Sequence, residues 1–303
     1  MIETKLSGLA GSNPLGYLAA IGLQTTLDDE HHDSRLWWSD DVVPKAMIAT
    51  TEGTDLTGAA MNAIFRLRGC SLFEGNLEGA DDLKFSAANI RTFLEGMKAD
   101  SVALRLASAL ITEGSVDRGG KAKPTDLYFT AGQQRFRTIM REILEHVSED
   151  DITEAVHGPW RYESTLPTLM WDVTDDANYA LAPRNPATER KSTVPGAEAL
   201  AILGLSSFTV FTGEDRTLTT ATRGSWKRSR FRWPIWRYPA GTGAIRYLVQ
   251  QIPTFEADTV TAQRRVRGWG VTHVYEAAIR RSEQGGYGSF SPPRVVWSKE
   301  AST

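Results

Sequence analysis

The stretch Ser229–Trp236, SRFRWPIW, constrains the fold more than any other part of the chain. Side chains alternate across a strand, so an extended reading puts Phe231, Trp233 and Ile235 on one face and Arg230 and Arg232 on the other. The rings demand burial, and the guanidinium groups demand water or a partner. A strand with its aromatic face packed inward and an outward arginine stripe satisfies both.

This strand sits in a longer cationic segment. From Arg216 to Arg237, RTLTTATRGSWKRSRFRWPIWR, the chain carries seven cations, three tryptophans and a phenylalanine, and no carboxylate. Cations meet phosphates, and flat rings take a base or a guanidinium. The segment therefore reads as a contact surface for nucleic acid. Arg223, Lys227, Arg228, Arg230 and Arg232 are the candidate phosphate contacts, with Trp226 as a stacking platform. Arg264, Arg265 and Arg267, in AQRRVRGWG, extend the stripe if the fold brings them near. With the other rings packed inward, such contact favours phosphate over base, and recognition follows charge and shape.

The net charge of −3 hides two opposed parts. Residues 1–215 hold 19 Lys and Arg against 32 Asp and Glu, whereas residues 216–303 hold 15 against 5. Either the C-terminal part binds an external polyanion, or it docks on the acidic part of its own chain.

With 303 residues, 41% of them hydrophobic, the chain can bury a substantial core as one large or two ordinary domains. The natural division is 1–150, acidic and mainly helical, against 151–303, mixed and basic towards its end. A single cysteine, Cys70, excludes an internal disulfide and a multi-cysteine zinc site, and fits a reducing cytosol. No export signal is read at the N-terminus, and no apolar run approaches the length of a bilayer span, so a membrane is not among the expected partners.

Local patterns give the elements. Ser12-Asn13 and Pro14 begin a helix whose stripe is Leu15, Leu18, Ala19 and Leu23, and Gly11, Gly16 and Gly22 permit close backbone approach. Arg35–Trp38 reads as a strand, giving Gly-loop, helix, strand. Residues 51–115 read as mostly helical, Glu113–Pro124 as a flexible loop and Leu127–Thr130 as a brief strand. Gln133–Val147 and Pro195–Leu205 read as helices, with extended segments and turns around His157 between them. Phe208–Phe211 reads as a strand, Thr217–Thr222 as a β-prone approach to the basic segment, Gly241–Gln251 and Val271–Arg281 as helical, and Tyr287–Trp297 as a final strand. Mixed helices and short antiparallel strands, without regular βαβ alternation, indicate an α+β fold.

Positive signals for catalysis are missing. The chain has no GxSxG elbow, no HExxH helix, no phosphate-binding GxxxxGK[ST] loop and no dinucleotide fingerprint. His157 and His273 are the available acid–base groups. In the acidic cluster Asp28–Asp33, adjacent side chains point apart, so a solvated turn is expected rather than a metal site. Asp172, Asp175 and Asp176, in WDVTDD, are read first as turn and capping residues, with a metal-dependent nuclease site as the minor alternative. No cofactor or metal is expected.

Several blocks carry a family resemblance: LSGLAGSNPLGYLAAIGL, RLWWSDD, FTAGQQRF, GPWRYE, MWDVTDDANYAL, ALAILGL, RFRWPIW and RGWGVTHVYEAAIRR followed by YGSF. Together they resemble CRISPR-associated proteins of the type I-G (formerly I-U) systems, both the large-subunit-like proteins and the small proteins encoded beside the helicase-nuclease. The resemblance implies a non-catalytic component of an RNA-guided defence complex. Its implied partners are target DNA or guide RNA and other CRISPR-associated subunits. The chain is much shorter than full large subunits, which leaves the reading of a short motif beside the target unassigned. Asn13, Pro14 and Gly16 and the arginines of RFRWPIWR occupy family-like places, and no catalytic residue carries over. An adaptor that binds only protein is the second expectation, its basic stripe being neutralised internally.

Overall fold

The computed structural model describes residues 1–73, 82–130, 134–173, 192–213, 217–255, 259–281 and 288–299. It opens on a strand, β1 (Ile2–Ala10), followed by helix α1 (Pro14–Asp29), β2 (Ser34–Trp38) and β3 (Lys45–Thr50). The Gly-loop, helix, strand reading thus lacks two strands. β3 lies between β1 and β2, antiparallel to both. Asn13 caps α1 by accepting from the Leu15 amide, and Pro14 takes the first helical position. The expected stripe on α1 understates its burial: every residue from Pro14 to Leu27 is buried. A helix buried on all sides belongs inside a fold, and α1 is the central one here.

Three helices, α2 (Leu56–Arg68), α3 (Ala87–Gly96) and α4 (Ser101–Leu110), occupy the region expected to be helical. Then come α5 (Phe136–His146), within the expected span, and α6 (Glu149–His157), which was not expected. Ser148 and Asp151 build a reciprocal cap for α6, each side chain accepting from the other's amide. Leu127–Thr130 forms no strand: the Tyr128 amide donates to Thr125 O in a turn, and the segment is buried by side-chain packing.

The chain continues through α7 (Pro195–Gly204), β4 (Val210–Thr212), β5 (Thr217–Thr219), β6 (Thr222–Arg223), β7 (Arg230–Trp236), α8 (Thr242–Gln251) and α9 (Val260–Gly268). It closes with β8 (Val271–Arg281), β9 (Gly288–Phe290) and β10 (Arg294–Ser298). The helical reading of Val271–Arg281 is overturned. The half EAAIRR favours helix, but the half VTHVY favours strand, and antiparallel pairing with β7 on one side and β9 and β10 on the other decides for strand. The resulting sheet runs β10-β8-β7-β6, and β4 and β5 form a separate pair. Helices with antiparallel sheets make the fold α+β.

One hydrophobic core runs through residues 1–150 and 151–303 alike. Its tightest crossing is between α1 and α7, where a Cβ on Gly22 would fall 1.7 Å from Leu200 O, so only glycine fits. At its centre Tyr17 stacks on Trp38 with ring centroids 5.6 Å apart and meets Trp236 edge-on. The β1-β3-β2 sheet and the β10-β8-β7-β6 sheet are thereby joined through α1.

Candidate nucleic-acid interface

The aromatic face of β7 packs inward as the alternation requires: Phe231, Trp233 and Ile235 are buried. Two indoles also tie this strand to the N-terminal part, Trp233 Nε1 donating to Gly11 O and Trp236 Nε1 to Leu36 O, both at 2.8 Å. These rings are anchors, with no face left for a base.

The other face of β7 departs from the outward stripe. Arg232 lies opposite Glu276 of β8 in the strand register. Its Nε and Nη2 donate to Glu276 Oε2 at 3.0 and 2.6 Å, and its Nη1 donates to Phe255 O at 2.8 Å. Arg230 and Arg294 donate to Oε1 at 2.8 and 2.9 Å. The Glu276 and Arg232 side chains are only 2% and 10% exposed, whereas Arg230 is 46% exposed. Burial alone would raise the Glu276 pKa, but the hydrogen bonds from the three arginines outweigh it and hold the carboxyl at about 2. Arg232 is therefore a buried partner of a carboxylate and faces no phosphate. The clamping acid comes from the basic part itself, which neither charge-based reading anticipated.

Arg223 pairs in register with Arg230 and is half-buried. On α9, Arg264 and Arg265 are exposed, and Arg267 Nη2 donates to Lys299 O at 3.4 Å. None of these four lines the cavity that Trp226 lines.

That cavity forms where β6 returns to β7. Gly224, at φ +94°, brings the turn so close to itself that a Cβ there would lie 2.4 Å from Arg228 O. A single 3₁₀ turn, Trp226–Arg228, follows, closed by the Arg228 amide on Ser225 O at 2.8 Å. The Ile279 amide donates to Ser229 O at 2.9 Å, fixing the turn to β8.

Arg281, the last residue of β8, holds the turn from behind. Its guanidinium lies 3.5 Å over the Trp226 ring and donates to Trp226 O at 3.3 Å, Tyr128 O at 3.1 Å and Asp126 O at 2.6 Å. The side chain is 3% exposed. Burial lowers its pKa to about 10, against the opposing pull of Asp126, so it stays charged at neutral pH.

In front of the turn lies a pocket of about 610 Å³, walled by Lys84, Lys123, Tyr128, Trp226, Lys227 and Arg228. Three of the predicted residues thus meet at one place, joined by cations from the N-terminal part. Lys227 and Arg228 are exposed and have no carboxylate partner among the described residues. Lys84 Nζ lies 5.4 Å from the centre of the Tyr128 ring. Among the described residues one carboxylate, Asp117, reaches the pocket; its Oδ1 accepts from the Lys121 and Gly119 amides, which lower its pKa. Sequence reasoning missed Lys84, Lys123, Tyr128 and Arg281. Only the lysines of KAKP gave a signal, and it was masked by the loop reading of that segment.

The other chemistry-bearing residues are spread out. Asp29, Glu30 and Asp33 of the acidic cluster pair with Arg105, Arg66 and Arg35 respectively. Asp172 accepts from Asn13 Nδ2 at 2.8 Å and Tyr162 Oη at 2.9 Å, while Asp175 and Asp176 lie outside the described residues, as does Arg216. Among the described residues no group of three or more His, Cys, Asp or Glu side chains is placed to hold a metal ion. Glu198, fully buried in the first turn of α7, accepts from Thr168 Oγ1, Thr193 Oγ1 and the Leu169 amide, and has no cation beside it among the described residues. Burial pushes its pKa up to about 7 despite those hydrogen bonds, and the nearby Asp172 adds to the rise. Compared with known proteins, the chain matches no family model, and no curated protein sequence is significantly similar to it.

Proposed function

We propose that the chain is a non-catalytic, nucleic-acid-binding component of a CRISPR ribonucleoprotein of the type I-G kind, acting in the cytoplasm of a bacterium. The observation that carries the reading is the Trp226–Arg228 turn, where an indole and two cations with no carboxylate partner among the described residues stand at the mouth of a cationic pocket. Arg223, Arg264, Arg265 and Arg267, with the half-exposed Arg230, are further phosphate contacts outside the pocket, and Arg232 leaves the contact set. The family-like blocks support the same reading from the scaffold side. NPLG starts α1, ALAILGL lies in and just beyond α7, RFRWPIW is β7 and THVYEAAIRR lies in β8, so the resemblance falls on the elements that build the core. Among the described residues no helix is long and apolar enough to cross a membrane.

Binding of labelled single-stranded DNA, single-stranded RNA and duplex tests the nucleic-acid part. Affinity should fall steeply as salt rises from about 50 to about 200 mM, and the Lys227→Ala/Arg228→Ala double variant should flatten that dependence. Affinity indifferent to both changes would sink it. Co-expression with a CRISPR array and its neighbouring proteins tests the ribonucleoprotein part, which predicts guide RNA in the purified complex. Co-purification of defence proteins without any strand at moderate salt would leave the adaptor reading in its place.

A further inference from the structure

We infer that the Trp226 pocket holds one nucleotide, its base stacked on the indole and its phosphate on the surrounding cations. The inference rests on the nucleic-acid reading of the same turn and goes further, from backbone contact to a defined site for a base.

Three observations carry it. The pocket, at about 610 Å³, falls in the range of small-molecule sites and has room for a base, a sugar and a phosphate. Among the described residues its walls combine two aromatic rings, Trp226 and Tyr128, with four cations, Lys84, Lys123, Lys227 and Arg228, against one carboxylate, that of Asp117. An apolar ligand would waste the cations, and a bare phosphate would waste the rings. A nucleotide uses both.

The third observation concerns the indole. Arg281 lies against one face of Trp226 but does not line the pocket, so the ring separates the buried guanidinium from the cavity. A cation on one face draws π density towards it, which disfavours a second cation on the opposite face and favours a neutral aromatic ring. The carbonyls of Asp126, Tyr128 and Trp226 hold the guanidinium in place, so the platform is rigid before any ligand arrives. Asp117 Oδ2 accepts no hydrogen bond among the described residues and can take one from a sugar hydroxyl or an exocyclic amine.

Calorimetric titration of the full chain with adenosine 5′-monophosphate, ribose 5-phosphate and a short oligonucleotide tests this, using the wild type, Trp226→Ala, Trp226→Phe and Lys227→Ala/Arg228→Ala. Trp226→Phe keeps a ring over Arg281 and guards against loss of the fold, which thermal melting checks. Base stacking predicts that Trp226→Ala weakens the base-bearing ligands about tenfold or more and leaves ribose 5-phosphate unchanged, with Trp226→Phe recovering much of the loss. Competition between the monophosphate and the oligonucleotide assigns the pocket to one unit of a strand. Monophosphate binding that depends on Trp226, with no oligonucleotide binding at all, keeps the pocket as a free-nucleotide site and overturns the strand reading instead. The pocket itself is overturned if Trp226→Ala leaves the affinities for monophosphate and oligonucleotide at their wild-type values, and strand binding that persists in that case leaves the backbone reading standing.

Discussion

The Glu276 cluster and the Trp226 pocket both draw on the same basic segment, and they differ in what its cations meet: a buried carboxylate in the first, and none among the described residues in the second. Around Glu276, Arg230, Arg232 and Arg294 converge on two oxygens, and the charge of Arg232 is spent inside the molecule. A few residues earlier, Lys227 and Arg228 meet no acid among the described residues and stand at a cavity. Positive charge along a sequence is thus a poor measure of positive charge at a surface. What sorts the two groups is the strand register that sets Glu276 opposite Arg232.

The sharpest break of this comparison is Glu276→Ala. It strands a buried guanidinium without its counter-ion, and chemical denaturation should show a loss of about 3–5 kcal/mol. Because the folded Glu276 pKa lies below its unfolded value, its contribution is present above about pH 4.5 and is lost as pH falls towards about 2. A loss under about 1 kcal/mol would mean that the cluster is as dispensable as a surface ion pair.

Glu198 is the matching case of a buried carboxyl with no arginine partner among the described residues. Its folded pKa lies above its unfolded value, so its effect has the opposite sign: stability declines as pH rises from about 4.5 through about 7. Glu198→Gln can keep its carbonyl on the Leu169 amide and donate to the Thr168 and Thr193 hydroxyls. The variant should gain up to about 3 kcal/mol over wild type near pH 8 and lose this part of the pH dependence. Identical melting profiles for the two proteins between about pH 5 and about pH 8 would refute this assignment.

The smallest effect on stability belongs to the pocket. Lys227→Ala/Arg228→Ala should change folding stability by no more than about 0.5 kcal/mol, while the logarithmic salt slope for a single strand falls by about 1.4, roughly 0.7 for each phosphate no longer neutralised. A stability loss above about 2 kcal/mol would make these residues structural, and the contrast with Glu276 would vanish.

Much of the scaffold was legible because its signals are local. The Asn13-Pro14 start of α1, the Pro195 start of α7 and the period-2 face of β7 each follow from residues adjacent in sequence. β8 was misread because EAAIRR has a helical preference that pairing with β7 and β10 overrides. β1 and α6 were missed although the reciprocal cap of Ser148 and Asp151 is visible in the sequence. Within the site, the turn residues were legible and their sorting was not. Nothing near Arg232 in sequence announces Glu276, 44 residues away, and nothing near Trp226 announces Arg281 or Lys84.

Arg281 also sets when in the life of the polypeptide the site can exist. The guanidinium that braces Trp226 and grips the Asp126 and Tyr128 carbonyls is supplied by the end of β8, long after the ribosome has made the other walls. A nascent chain stopped short of that residue has the cations and the indole but no brace between them. If the pocket takes a nucleotide as proposed, fragments cut anywhere between Tyr128 and Arg281 should be blind to it however well each piece folds.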